Sequence, residues 1–197
     1  VELIQVREDG QVRASERSGS TEHEQVPKGE EMRKLKREFY GRHVVTVAQE
    51  LIGKVLVCDD FAARITETEA YRGEDDPASH AGRGMTARSK VMFGQPGILY
   101  VYLIYGMYHC MNIVSEGEGQ PAAVLIRGLE GRELGGPGKI CRHLNITQAD
   151  NGLDLVASSR MYVAEDASSY RGGYIATPRI GITKAQDRLW RFVAPKL

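Results

Sequence analysis

The residues best placed to do chemistry fall in a few short stretches. Glu69 and Tyr71 lie two apart in Ile65-Thr66-Glu67-Thr68-Glu69-Ala70-Tyr71, whose alternation predicts a strand. A pleated strand sends alternate side chains the same way, so one carboxylate stands beside one ring, a base next to a stacking platform. The same alternation puts Ile65 and Glu67 on that face. A solvated edge carboxylate beside a half-buried tyrosine would give the same pattern. Arg127 follows Val124-Leu125-Ile126 and, in so apolar a strand, needs a buried anion or a site; pairing with Glu69 would satisfy both. His80, in Pro77-Ala78-Ser79-His80-Ala81-Gly82, is a candidate to position a base or carry a proton. Asn112 lies in another apolar run, where its amide either finds partners in the core or reads the edge of a ligand.

Ile98 to Val114 is the most distinctive stretch, with β-branched and aromatic residues on both sides of Tyr105-Gly106. It predicts two strands and a tight turn. Tyr100 and Tyr102 share a face opposite Leu99, Val101 and Leu103, as a core aromatic pair would. Tyr105 at the tip gains little burial, so its ring is either a wedge for a partner or folded back onto the body. Arg83, Arg88 and Lys90 form a basic patch beside the run Glu74-Asp75-Asp76. Phosphate contact suits the patch, and solvation suits the acids better than a metal does. The loop Gly135-Gly136-Pro137-Gly138-Lys139 leads into a helix whose amides could meet a phosphate, though such loops are more often only structural.

These side chains need a scaffold, and apolar spacing supplies one of the α+β class. An amphipathic helix is expected from Val44 to Ile52, closed by Gly53. Strands are expected at Val55–Cys58, at 62–71, on both sides of Tyr105, at Ala122–Leu129, at Met161–Val163, at Arg179–Thr183 and at Arg191–Val193, with a helix over Ile140–Leu144. Residues 72–95 form a long polar connection, and a loop of that length is usually functional. Residues 1–31 have the Glu-, Gln-, Ser-, Gly- and Arg-rich composition of a disordered tail, which leaves 32–197 as the folded region.

Composition narrows the function. The chain has 197 residues with 26 Lys plus Arg against 26 Asp plus Glu, and this neutrality argues against a polycation that packages nucleic acid. The balance is uneven, because residues 156–197 carry a net charge of +4. No apolar run is long enough for a membrane-spanning helix, so a soluble protein without membrane contact is expected. Three widely spaced cysteines, and five histidines without metal-binding spacing, predict no metal or disulfide framework.

Several ordered motifs at compatible spacing resemble the alkyladenine (3-methyladenine) DNA glycosylases of the mammalian type. They are Ile65 to Tyr71, Ser79-His80, Met92-Phe93, Pro96-Gly97, Leu99 to Tyr108, Met111-Asn112, Val124 to Arg127, Gly136 to Cys141, Pro178 to Ile182 and Trp190-Arg191-Phe192. The resemblance implies a single mixed α+β domain with a curved antiparallel sheet, surrounding helices and a protruding hairpin that inserts into DNA. It implies a monomeric, monofunctional enzyme without cofactor or metal. Its partner would be double-stranded DNA containing damaged purines, with 3-methyladenine the safest substrate and hypoxanthine and ethenoadenine open. The place of action would be the cytoplasm and nucleoid of a bacterium or the nucleus of a eukaryote.

Carried over by position, Glu69 is the general base and Arg127 helps hold the attacking water. Tyr71, His80 and Tyr102 sandwich the flipped base, and Asn112 stands against the exocyclic amine of guanine. Tyr105 intercalates, while Thr86, Arg88, Met107, Tyr108 and Lys139 are weaker candidates for DNA contact. Gly128 and Gly131 depart from the family pattern, which has Ala and Pro there, and the loop after His80 is about one residue shorter. Two alternatives remain at this point, an N-glycoside hydrolase of free modified nucleosides and a non-catalytic reader of distorted DNA.

Overall fold

The computed structural model describes residues 32–73, 75–166 and 170–195. The expected tail, 1–31, lies outside the described residues. Strands β1 (Arg33–Lys34), β2 (Val55–Cys58), β3 (Phe61–Arg72), β4 (Leu99–Ile104), β5 (Tyr108–Val114), β6 (Ala122–Leu129) and β7 (Met161–Glu165) join in the order β1-β7-β2-β3-β6-β5-β4. Two short strands, β8 (Ile175–Thr177) and β9 (Arg191–Val193), attach through β9 to β3. All these pairings are antiparallel, an open mixed α+β arrangement of the class expected.

Helix α1 (Arg37–Tyr40) leads into α2 (Val44–Leu51), and Val44, Val47, Ala48 and Leu51 of α2 are buried. They join Leu99, Val101, Met111, Ile113, Val124 and Ile126, which point inward from β4, β5 and β6. Period 3.6 on the helix thus meets period 2 on the strands, and one apolar cluster covers one sheet face. Helix α3 (Pro137–His143) adds Ile140 and Cys141 to that core. It starts three residues before the expected Ile140, with Pro137 at its beginning, where a missing N–H costs nothing.

Simple alternation fails inside β3. Ile65 is fully buried in the core, whereas Glu67, Glu69 and Tyr71 belong to the other face, so the expected common face for all four is corrected. The register with β6 slips on both sides of Glu67, and the bulge there reverses the parity of every residue that follows. Ala70 thereby reaches the core, and Thr68 Oγ1 donates to the Ala48 carbonyl of α2. Gly128 lies opposite. A Cβ there would stand 2.7 Å from Thr66 Oγ1 and 2.8 Å from Glu67 Cβ, so a larger residue would require the bulge to move.

Tight packing continues at Gly97, which leads into β4 with φ of +85°. An added Cβ would stand 2.9 Å from Tyr40 Cδ2 and 3.1 Å from Val156 Cγ2. Left-handed backbone costs an L-residue about 1–2 kcal/mol and overpacking about 1–3 kcal/mol. Gly97→Ala is therefore expected to lower unfolding free energy by about 2–5 kcal/mol, read from the urea midpoint at constant m-value. A midpoint within error of wild type would contradict this packing.

Candidate active site

The site is built on the sheet face away from α2. Tyr100 pairs with Asn112, Asn112 with Leu125, Leu125 with Glu69, and Glu69 with Arg191, one cross-strand row from β4 to β9. Directly opposite residues share a face, so strands distant in sequence bring these side chains together. Residues 76–97 wrap over part of the face. Ala81 and Met92 pack there with Tyr100, Val114 and Ala123 in a second apolar cluster. The long polar connection is thus a cover, and it contains a short 3₁₀ turn at Lys90–Phe93.

Glu69 is completely buried. Its Oε1 accepts the Ile180 N–H at 2.7 Å, and its Oε2 accepts the Tyr71 hydroxyl at 2.8 Å. Arg127 approaches both oxygens, with Nη1 3.5 Å from Oε2 and Nε 3.4 Å from Oε1. The expected Arg127–Glu69 pair is therefore present, but the closer partner of Arg127 is Glu67, through Nε to Oε1 at 3.0 Å. That oxygen also accepts Arg191 Nε at 2.6 Å. Two carboxylates and two guanidiniums thus share one small volume.

Burial pushes Glu69 above the ordinary glutamate range, and Glu67 adds to the shift; Arg127, the Ile180 N–H and the Tyr71 hydroxyl oppose it without cancelling it. A raised carboxylate is a stronger base than an exposed one once it ionises. Burial and the neighbouring Glu69 push the Tyr71 hydroxyl up as well, so it remains a donor at neutral pH.

His80 is exposed at the rim. Its Nδ1 is 2.9 Å from the Tyr100 hydroxyl, and its ring meets Tyr102 edge-to-face with centroids 4.5 Å apart. Desolvation and then Arg88 bring its pKa down to about 4. Solvent at its outer edge softens that displacement without reversing it, so the ring is neutral at pH 7. Arg88 caps the other aromatic, its guanidinium 4.9 Å from the Tyr102 centroid, and donates to the Leu103 carbonyl at 3.2 Å. Asn112 is buried, and its Nδ2 donates to the carbonyls of Tyr100 at 3.1 Å and Cys110 at 3.4 Å. Both N–H groups are thereby directed at backbone, which fixes the orientation of the amide.

The remaining candidates surround this face. Tyr105 stands at the tip of the β4–β5 hairpin, 82% exposed, with φ of +53° and Gly106 at +70° beside it. The fold-back reading is excluded by that exposure. Met107 is exposed and Tyr108 partly so; Tyr108 packs against Gly138, and Arg142 approaches its ring at 5.8 Å. Lys139 is exposed on α3, one position after Gly138. Thr86 is exposed, but its Oγ1 bonds Ser89 Oγ at 3.0 Å and accepts the Ser89 N–H at 3.1 Å, which ties the cover loop together.

Two expectations are corrected on this face. Arg179–Thr183 is not a strand, because the Ile180 N–H is spent on Glu69 rather than on a ladder. Asp76 is not a solvated acid, since it is fully buried in a bidentate pair with Arg179. Neither Asp76 nor Arg179 stood out in the sequence as a site residue. The repeated acids disguised the first. The second lies one position past Pro178, in a segment legible only as a motif.

Comparison with known proteins places the chain. A family model described as methylpurine-DNA glycosylase matches residues 38–134 and 131–196. Three bacterial relatives carry, as provisional names, 3-methyladenine DNA glycosylase. The protein from Wolbachia pipientis (subsp. Culex pipiens, strain wPip) is 54% identical over 163 residues, 80% of this chain and 88% of its own. That from Sodalis glossinidius is 53% identical, covering 80% and 95%, and that from Ehrlichia ruminantium (strain Welgevonden) is 49% identical, covering 82% and 89%.

Proposed function

The chain belongs to the methylpurine-DNA glycosylase family, and from that premise we propose that it excises 3-methyladenine from duplex DNA by flipping the damaged nucleotide onto the Glu69 face. The observation that carries this reading is a buried carboxylate with raised basicity, hydrogen-bonded by Tyr71, on the sheet face that also holds Tyr102 and His80, with an exposed tyrosine at the tip of the hairpin that carries Tyr102. Attached to DNA, 3-methyladenine is cationic. Its glycosidic bond breaks toward an oxocarbenium-like sugar without a strong acid, and the base leaves neutral. One carboxylate then suffices. Glu69 takes a proton from water while the water oxygen bonds to the anomeric carbon, and the bond to the base nitrogen breaks.

Arg127 orients that water from the Glu67 side. Tyr71, Tyr102 and neutral His80 form the aromatic walls, and stacking contributes about 1–3 kcal/mol per base. Asn112, its amide held by two carbonyls, stands against the exocyclic amine of guanine. Tyr105 fills the gap left by the flipped nucleotide. Hypoxanthine and ethenoadenine belong to the same reading as further substrates, and a monomer as the acting species.

Base release from duplexes carrying each lesion, with an undamaged guanine control, tests the proposal. Release of 3-methyladenine, leaving an abasic site uncut until alkali is added, is expected. Release from free 3-methyladenosine alone would favour the nucleosidase alternative, and binding without release would favour the reader.

DNA contact by Arg88, Met107, Tyr108, Lys139 and the Thr86 loop has its own test. A neutral protein neutralises few phosphates, and each cation removed lowers the slope of log affinity against log salt by about one. Arg88→Ala and Lys139→Ala are each expected to do so on lesion-containing and undamaged duplexes alike. A slope unchanged in both variants would remove these residues from the interface.

A further inference from the structure

Beside Glu69 lies a charge pair with no direct part in the proposed chemistry. The side chains of Arg179 and Asp76 are both 0% exposed. They meet in two parallel bonds, Nη1 to Oδ2 at 2.6 Å and Nη2 to Oδ1 at 2.8 Å. Asp76 is held in turn by the N–H groups of Arg72 and Ala78, each at 3.2 Å. A buried ion pair gives little net stability over an apolar replacement, so its placement is the informative feature.

That placement touches the surroundings of Glu69 at three points. Arg179 Nη1 donates at 2.9 Å to the carbonyl of Ala70, the residue between Glu69 and Tyr71. The guanidinium lies 4.7 Å from the Tyr71 centroid, and Tyr71 donates to Glu69. The next peptide along supplies the Ile180 N–H to Glu69 Oε1. Asp76 also neutralises the cation, so one face of Tyr71 is supported without a net positive charge near a cationic base.

We infer that Arg179, locked by Asp76, is the positioning residue that holds the Glu69 carboxylate and the Tyr71 ring in their working geometry. It acts through Ile180, Ala70 and Tyr71. This rests on the reading of Glu69 as the base. The charged and titratable groups around Glu69 are Arg127 from β6, Glu67 and Tyr71 from β3, Arg191 from β9 through Glu67, and Arg179 from the loop. The Ile180 N–H and the Tyr71 hydroxyl both draw the pKa of Glu69 downward. When they slip, Glu69 ionises at higher pH and the acid limb of the rate profile moves up.

The test is single-turnover excision at saturating enzyme, across pH, on duplex DNA containing 3-methyladenine. Arg179→Lys cannot form the parallel bonds or the planar stack. It is expected to be about 10–100-fold slower, the size of loss that misplacement brings. Its acid limb should lie at higher pH, and its affinity for a duplex with an uncleavable abasic-site analogue should stay within about threefold. Asp76→Asn keeps the stack but loses the charge pairing, and should show a smaller loss in the same direction. A purely structural pair would lower melting temperature alone, and unmoved rate and acid limb in folded Arg179→Lys would overturn the inference. If that variant does not fold, the same readouts on Asp76→Asn decide it. Run in parallel, wild type and Glu69→Gln separate the two failures. An inactive wild type, or an active Glu69→Gln, sinks the reading of Glu69, whereas normal behaviour of both with an unaffected Arg179→Lys sinks only the role of Arg179.

Discussion

Glu69→Gln is expected to lower single-turnover release of 3-methyladenine by about 10³-fold or more, while affinity for a duplex with an uncleavable abasic-site analogue stays within about threefold of wild type. A positioned base contributes about 10²–10⁴-fold. Loss of the negative charge also removes electrostatic support for the oxocarbenium-like sugar. Glutamine keeps the shape: its one oxygen can still accept the Ile180 N–H, and its NH2 in the other position can donate to the Tyr71 hydroxyl oxygen, so the pocket should persist.

The same variant should melt at or above the wild-type temperature at pH 7. Burial holds the pKa of Glu69 above its unfolded value, so in the window between the two values the native state binds the extra proton. Stability from this group therefore falls as pH rises through that window, and above it the ionised form carries the full penalty. The amide carries none, and Arg127 keeps Glu67 as its partner. Excision within tenfold of wild type would sink the assignment of Glu69 as base. A large drop in melting temperature would show instead that the carboxylate is a structural member of the cluster.

The hairpin, the strand faces within it and the long cover were legible because each rests on a local rule. Tyr105-Gly106 interrupts two β-rich runs, and alternation sorts Tyr100 and Tyr102 from Leu99 and Val101. Glu69 and Tyr71 share a face because two residues is one pleat repeat. Ile65 escaped the same rule, since a bulge depends on how β3 meets Gly128 of β6 and leaves no periodic trace in β3 itself. Arg179 and Asp76 escaped for a related reason. Their partnership spans 103 positions, and an acid in an acidic run reads as solvated until a buried cation is found opposite it. The family motif around Pro178 marked the segment, but not that its peptide donates to Glu69 rather than to a strand.

Tyr105→Gly is expected to separate stability from function at the hairpin tip. Tyr105 holds φ of +53° with nothing to compensate in burial, as it is 82% exposed. Left-handed backbone costs an L-residue about 1–2 kcal/mol, and glycine removes that cost while losing about 0.5–1 kcal/mol more conformational entropy on folding. The sum leaves unfolding free energy unchanged or slightly raised, measurable by urea denaturation. Activity should move the other way. Without a ring to occupy the vacated stack, the flipped state loses about 1–3 kcal/mol, which corresponds to about a 5–150-fold drop in excision at subsaturating enzyme. Tyr105→Phe, which keeps the ring and the strained turn, should recover most of the rate. Strain kept at an exposed tip, against the preference of its own backbone, fits a side chain placed for a partner rather than for the fold. A Tyr105→Gly protein that is markedly less stable, or that excises at the wild-type rate, would remove the wedge from the mechanism and leave the hairpin as scaffold.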